Sequence, residues 1–255
     1  MSIAQQRLAA IYADQSVLVF GHRGASAQAP MNTLPAFELA AELGADGVEL
    51  DVHRSADGEL VIVHDFTVDE TTNGTGTVQQ MTLAQLKALD AGSWKDPSFA
   101  GVRIPTLDEV FDAVGQRLFI NVEIKSESQE TDGIEQLVVD KIRQFDMQDR
   151  VLVSSFNPLA VMRFRALMPD VPIGFLTAPD VPEIVQQVAK NMTYEAIHPY
   201  QASIDKTVIE QAQHQGHIVN TWTVNDPARA TALRDLGVRG IITDQPDVII
   251  NALAD

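Results

Sequence analysis

Cysteine is absent from the 255 residues, which excludes disulfides and thiolate-held metal outright. Positive charge is scarce: 18 Lys and Arg stand against 35 Asp and Glu, a formal charge of −17. A surface of that sign repels phosphate backbones over the Debye length, so nucleic acid is disfavoured as a partner. One phosphate in a local basic pocket is still allowed. Long apolar runs are missing too. The N-terminal MSIAQQRLAAIYADQ mixes polar residues throughout, and VLVF at 17–20 is too short for a signal core or a membrane span. The chain therefore reads as cytoplasmic, with no stable membrane association. It shows no repeat of 20–50 residues and no low-complexity tract.

What is present is an alternation of short apolar runs with stretches of helical period. Strands are expected at 17–20, 47–52, 60–63, 118–124, 151–156, 172–176, 195–198, 218–224 and 240–243. Helical stretches lie at 34–43, 106–114, 133–145 and 182–192, with Asn32 or Thr33 as a cap before the first of these. Asp57-Gly58 is a hairpin signal, which makes 60–63 the return arm of the second strand. Eight βα units then remain, the number and size of a TIM (β/α)8 barrel. An open doubly wound sheet is the alternative, weakened because no GxGxxG follows the first strand. The Thr-, Gly- and Gln-rich segment at about 66–104, with a short helix at 83–90, reads as a small insertion at the barrel mouth within one domain spanning 1–255.

Several charged residues sit where a buried strand would exclude them unless they were paired. Residues two apart on a strand share a face, so Glu49 aligns with Asp51, and Asn121 with Glu123 and Lys125. Phe20 and His22 align in the same way on the first strand. All lie at strand C-terminal ends, where barrel enzymes carry their chemistry. A two-residue turn at Asp57-Gly58 would put Asp51 opposite His64 and bring both to Glu49. Three carboxylates without thiolates make a hard-oxygen site suited to Mg²⁺, Ca²⁺ or Mn²⁺; the plainer reading is that each acid is salt-bridged. His22 adjoins Arg23, whose guanidinium fork suits phosphate oxygens. His53, further up the hairpin, reads as solvated. His198 is a pocket wall or a loop residue, and His214 and His217 mark a helix end entering a strand. Trp222 is core or pocket wall.

Taken together, HRGASAQAPMNTLPAF (22–37), GVELDVHRSADGELVIVHD (47–65), TTNGTG (71–76), NVEIK (121–125), SSFNP (154–158), TWTVND (221–226) and IITDQP (241–246) closely resemble the glycerophosphodiester phosphodiesterase family. The resemblance implies a phospholipase C-like TIM barrel with an insertion after the His-Asp pair at 64–65. It implies one divalent cation, Ca²⁺ or Mg²⁺ with Mn²⁺ also suitable, on Glu49, Asp51 and Glu123. It implies His22 and His64 as general acid and base, Arg23 and Lys125 on the phosphate, and Phe156 and Trp222 along the substrate pocket. Two positions depart from the family pattern: Met31 stands where PENT is usual, and Glu70 where Arg is frequent.

The expected reaction is hydrolysis of glycerophosphodiesters, such as glycerophosphocholine or glycerophosphoethanolamine, to sn-glycerol 3-phosphate and an alcohol. Attack by the substrate's own 2-hydroxyl and direct attack by water both satisfy the residue pattern. Two other readings of the same residues are a lysophospholipase D and a non-catalytic barrel that binds a cation and a phosphodiester. No amphipathic basic helix supports the first.

Overall fold

Strand alternation decides which side chains enter the centre of this fold and which face its helices. The computed structural model describes residues 1–13, 16–189 and 191–254. Among them are nine strands: β1 Leu18–His22, β2 Gly47–Arg54, β3 Leu60–Ile62, β4 Phe119–Ile124, β5 Val151–Ser155, β6 Ile173–Thr177, β7 Ala196–Pro199, β8 Ile218–Thr221 and β9 Gly240–Thr243. Their order is β1-β9-β8-β7-β6-β5-β4-β2-β3, and the added β1–β2 pairing closes eight parallel strands into a barrel. The ninth, β3, lies antiparallel on β2. The expected TIM barrel is thus present, and the open sheet is not.

The helices are α1 Ile3–Ile11, α2 Leu34–Glu42, α3 Leu83–Ala88, α4 Leu107–Val114, α5 Ile134–Gln144, α6 Pro158–Leu167, α7 Glu183–Ala189, α8 Lys206–His214, α9 Pro227–Leu236 and α10 Pro246–Ala254. Lys190, inside the expected 182–192 helix, lies outside the described residues. On β2, Val48, Leu50 and Val52 are fully buried against the helix layer. Burial of each such side chain contributes about 1.5–3 kcal/mol. The intervening Glu49 and Asp51 face the barrel axis, as the period of two requires. Helix α1 has little amphipathic pattern and was not legible as a helix. A Ser2–Gln5 capping box starts it, and Leu8, Ile11 and Tyr12 close the barrel floor against Leu18, Phe20, Leu152 and Ile242. Among the described residues, no helix is long and apolar enough to cross a membrane.

The hairpin departs from expectation by one residue. Val52 faces Ile62, His53 faces Val61 and Arg54 faces Leu60, while the Ser55 N–H donates to the Glu59 carbonyl. The turn is therefore three residues, Ala56-Asp57-Gly58, with Gly58 at φ +91°, which glycine adopts without the Cβ clash. Asp51 consequently stands across from Val63, whose N–H donates to its carbonyl at 3.1 Å. A continued strand would point His64 away. The strand instead ends at Ile62, Val63 makes the last backbone bond to β2, and the chain bends through 64–66.

The segment after the hairpin forms its own apolar cluster, with Val68, Val78, Leu86, Ala91 and Ile104 packed on Val61 and Val63 of the return arm. It is a small insertion on a closed barrel. The hairpin tip is tied to it: the Leu83 N–H donates to Asp57 and the Ala56 N–H to the Met81 carbonyl.

Candidate active site

At the C-terminal mouth, β2 and β4 run in register, pairing Glu49 with Asn121 and Asp51 with Glu123. One carboxylate oxygen from each of Glu49, Asp51 and Glu123 lies within 4.8 Å of the others, and all three residues are buried. A cavity of about 240 Å³ opens above them. Its polar side carries His22, Arg23, His64 and Lys125; its apolar side carries Phe156, Leu176, Trp222 and Ile242. Phe156 and Trp222 meet edge to face at 5.5 Å. The structure brings every site residue expected from sequence to this one place, Asp51 lying just beneath the cavity lining.

Two basic groups reach the carboxylates. Lys125 Nζ is 3.0 Å from Glu123 and 3.4 Å from Asp51, and Arg23 Nε is 3.3 Å from Asp51. Arg23 is fixed by its backbone, a left-handed residue at φ 58° whose N–H donates to the Glu49 carbonyl. Gly24 follows at φ +85°, where a Cβ would fall 2.5 Å from the Ala36 carbonyl carbon. Only glycine allows that close approach of the β1 loop to α2.

The charges are not balanced. Burial pushes the Glu49 carboxyl well above the usual carboxylate range, and repulsion from Asp51 and Glu123 adds to it. Burial likewise lifts Glu123 to about 7, against the pull of Lys125. Burial would also raise Asp51, but Lys125, Arg23 and His64 outweigh it and hold that group below its ordinary value. Burial lowers Lys125 less than Glu123 and Asp51 raise it. Three buried hard-oxygen groups, two of them resisting ionisation, are a donor set suited to a divalent cation.

Each histidine has a carboxylate on its Nδ1: His22 with Asp244 at 2.7 Å, and His64 with Asp65 at 2.7 Å. Asp244 also accepts from Ser26 Oγ at 2.9 Å and Asn225 Nδ2 at 2.6 Å. Burial opposes its ionisation, but the His22 hydrogen bond and charge draw it down to about 2. Burial lowers His64. Neither aspartate was singled out from sequence. The available signals were that Asp65 follows His64, and that Asp244 is two residues beyond the inward-facing Ile242.

Of the two residues expected to cap α2, Thr33 is the N-cap, though it makes no side-chain cap bond, and Asn32 donates its side-chain amide to Asp51 at 2.8 Å. His53, expected to be solvated, is wholly buried; its Nε2 lies 3.2 Å from the His64 carbonyl and its ring meets Phe66 edge on. His198 is buried inside the barrel, where Asn220 donates to its Nε2 at 3.1 Å and the Trp222 indole donates to its carbonyl at 2.9 Å. His214 and His217 mark the end of α8 and the entry to β8, as expected.

The family model for the glycerophosphoryl diester phosphodiesterase family matches residues 22–248. The chain belongs to this family. The match runs from His22 past Asp244 and so takes in the whole cavity lining. Relatives agree along their length. A glycerophosphodiester phosphodiesterase of Caldanaerobacter subterraneus subsp. tengcongensis is 41% identical over 235 residues, 92% of this chain and 96% of that protein. One from Bacillus altitudinis is 37% identical over 233 residues, 90% and 95% of the two chains. Among solved structures, a phosphodiesterase of Oleispira antarctica in complex with the product sn-glycerol-3-phosphate superposes with a TM-score of 0.86 at 33% identity. That match covers 96% of this chain and 99% of the other. The enzyme class is therefore glycerophosphodiester phosphodiesterase, a phosphoric diester hydrolase. Of the two departures from the family pattern, Glu70 is exposed on the insertion. Met31 lies against Arg23, its Sδ 3.4 Å from Nη1.

Proposed function

We propose that this chain hydrolyses glycerophosphodiesters to sn-glycerol 3-phosphate and an alcohol, with two histidines acting as general acid and general base. The observation that carries the reading is the pair His22 and His64, each with an aspartate on Nδ1, facing one cavity with Arg23 and Lys125. An aspartate on Nδ1 fixes that nitrogen as the donor and leaves Nε2 for the substrate. One histidine takes the proton of the attacking hydroxyl; the other gives a proton to the departing alkoxide. Arg23 and Lys125 bind the phosphoryl oxygens and offset the charge that develops there. Phe156 and Trp222 shelter the carbon skeleton of the bound arm.

Glu49, Asp51 and Glu123 would hold one divalent cation, with Ca²⁺, Mg²⁺ and Mn²⁺ all suited to oxygen donors. Bound there, it supplies Lewis-acid polarisation of the phosphoryl group. The Oleispira antarctica structure holds sn-glycerol-3-phosphate, which supports the same product here.

The test is release of sn-glycerol 3-phosphate from a soluble glycerophosphodiester, with and without chelator, beside His22→Ala and His64→Ala. Loss of about 10²–10⁴-fold in kcat is expected for each variant. Full activity in both would refute the roles given to the histidines.

A further inference from the structure

A second lobe adjoins the active cavity on the far side of His22 and Arg23. Its volume is about 330 Å³, and it shares only those two residues with the first cavity. The loop after β1, the insertion and the segments after β8 and β9 all contribute to its wall. A phosphodiester has two arms. With the phosphate at His22 and Arg23 and one arm against Phe156 and Trp222, the other arm has this lobe beside it.

The lobe's charge is specific. Lys95 comes from the insertion and commits one ammonium proton to the Ser26 carbonyl at 2.8 Å. Arg23 lies on the same wall, in contact with the thioether of Met31. The one carboxylate in the lining, Asp244, already accepts from His22, Ser26 and Asn225. Among the described residues, no Phe, Tyr or Trp lines it. An ammonium or quaternary ammonium group gains most from an open carboxylate or an aromatic face; here it meets the Lys95 ammonium, while the Arg23 charge is spent on Asp51 and the phosphate. Hydroxyl groups, by contrast, can accept from Lys95. An anionic head group gains less than these two cations suggest, because it approaches a surface of net charge −17.

We propose that this lobe receives the alcohol arm of the diester and selects an uncharged polyol over an ammonium-bearing alcohol. The inference rests on the hydrolytic reading above and deepens it.

The experiment compares kcat/KM for glycerophosphoglycerol and glycerophosphocholine on the unaltered protein, Lys95→Met, Lys95→Glu and Met31→Glu, with divalent cation supplied. Each ratio is taken on one preparation, so the fraction of folded enzyme cancels. The unaltered chain should favour the glycerol diester by about tenfold or more, the size expected for one misplaced unit charge near a protein surface. Lys95→Met should narrow the ratio, and Lys95→Glu and Met31→Glu should move it further toward choline. A preference for the choline diester in the unaltered chain would overturn the inference alone, as would Lys95 variants that slow both diesters equally. Hydrolysis of neither diester would overturn the proposed function and this inference together.

Discussion

Replacing Asp244 by Asn should damage the enzyme more than replacing it by Ala, although Asn preserves the shape. The reason lies in the partners of the carboxylate. Its Oδ2 accepts from Asn225 Nδ2 at 2.6 Å, and Asn225 cannot turn over, because its Oδ1 accepts from Thr243 Oγ1 and from the Asp244 N–H. An amide at 244 must therefore direct its oxygen at Asn225 and its nitrogen at His22. That nitrogen donates to Nδ1, forces the neutral ring into the tautomer with its proton on Nε2, and removes the anion that supports the charged ring. His22 can then neither accept a proton at Nε2 nor release one readily. On the proposed mechanism, inverting the tautomer disables one general acid–base partner, worth about 10²–10⁴ in kcat. Asp244→Ala loses the orienting bond but leaves the tautomer free, so a smaller drop of about 10² is expected, at the bottom of that range. The assay is steady-state kcat and KM on a soluble glycerophosphodiester, with KM little changed. Asn activity within threefold of the unaltered enzyme, or Ala falling below Asn, would refute the reasoning.

Three further outcomes follow from the buried groups. Glu49→Gln removes a carboxyl held above its ordinary value by burial and by Asp51 and Glu123, so in chelator the variant should melt higher. Each kcal/mol of relieved repulsion adds about 2–4 °C at this chain length, and the upward shift that Ca²⁺ or Mg²⁺ gives the parent should disappear; an unchanged shift would argue against the cation site. His198, lowered by burial to about 3 from 6.5, stays neutral in the fold while the unfolded chain takes up a proton. Its contribution is complete above pH 6.5 and is lost as pH falls toward 3, by about 2 kcal/mol between pH 6.5 and 5. Urea midpoints should therefore fall less steeply with acid in His198→Gln, and parallel slopes would count against this account. Gly174→Ala would place a Cβ 2.5 Å from His198 Nε2, and overpacking of that kind should cost about 1–3 kcal/mol in urea unfolding; an unchanged midpoint would count against it.

The strands and the carboxylate set were legible because a period of two is local: Glu49 and Asp51 share a face whatever surrounds them. Barrel closure, too, was readable from the count of βα units. What could not be read depends on contacts between distant segments. His53 carries the same side chain as a solvated histidine, and only the arrival of Phe66 and the His64 carbonyl buries it. Asn32 had a local use as a cap and a distant one at Asp51, and the charged partner won. Asp244 lies 222 residues from His22 in sequence and becomes its neighbour only when β9 pairs with β1. The hairpin register failed for a smaller reason: Asp-Gly fits both a two-residue and a three-residue turn, and the longer one inverts the parity of every residue after it.

The return arm after that turn also divides the site mechanically. His22, the three carboxylates and Lys125 ride on or directly beyond wall strands locked by neighbours on both sides. His64 and Asp65 hang from a three-residue strand that stands outside the closed wall and is braced by the insertion. Changes of length or packing in that brace alter the gap between the two histidines without disturbing the barrel. The rim can therefore shift His64 relative to His22 while the floor and wall stay constant, so the spacing of the two histidines is set by the insertion and not by the barrel.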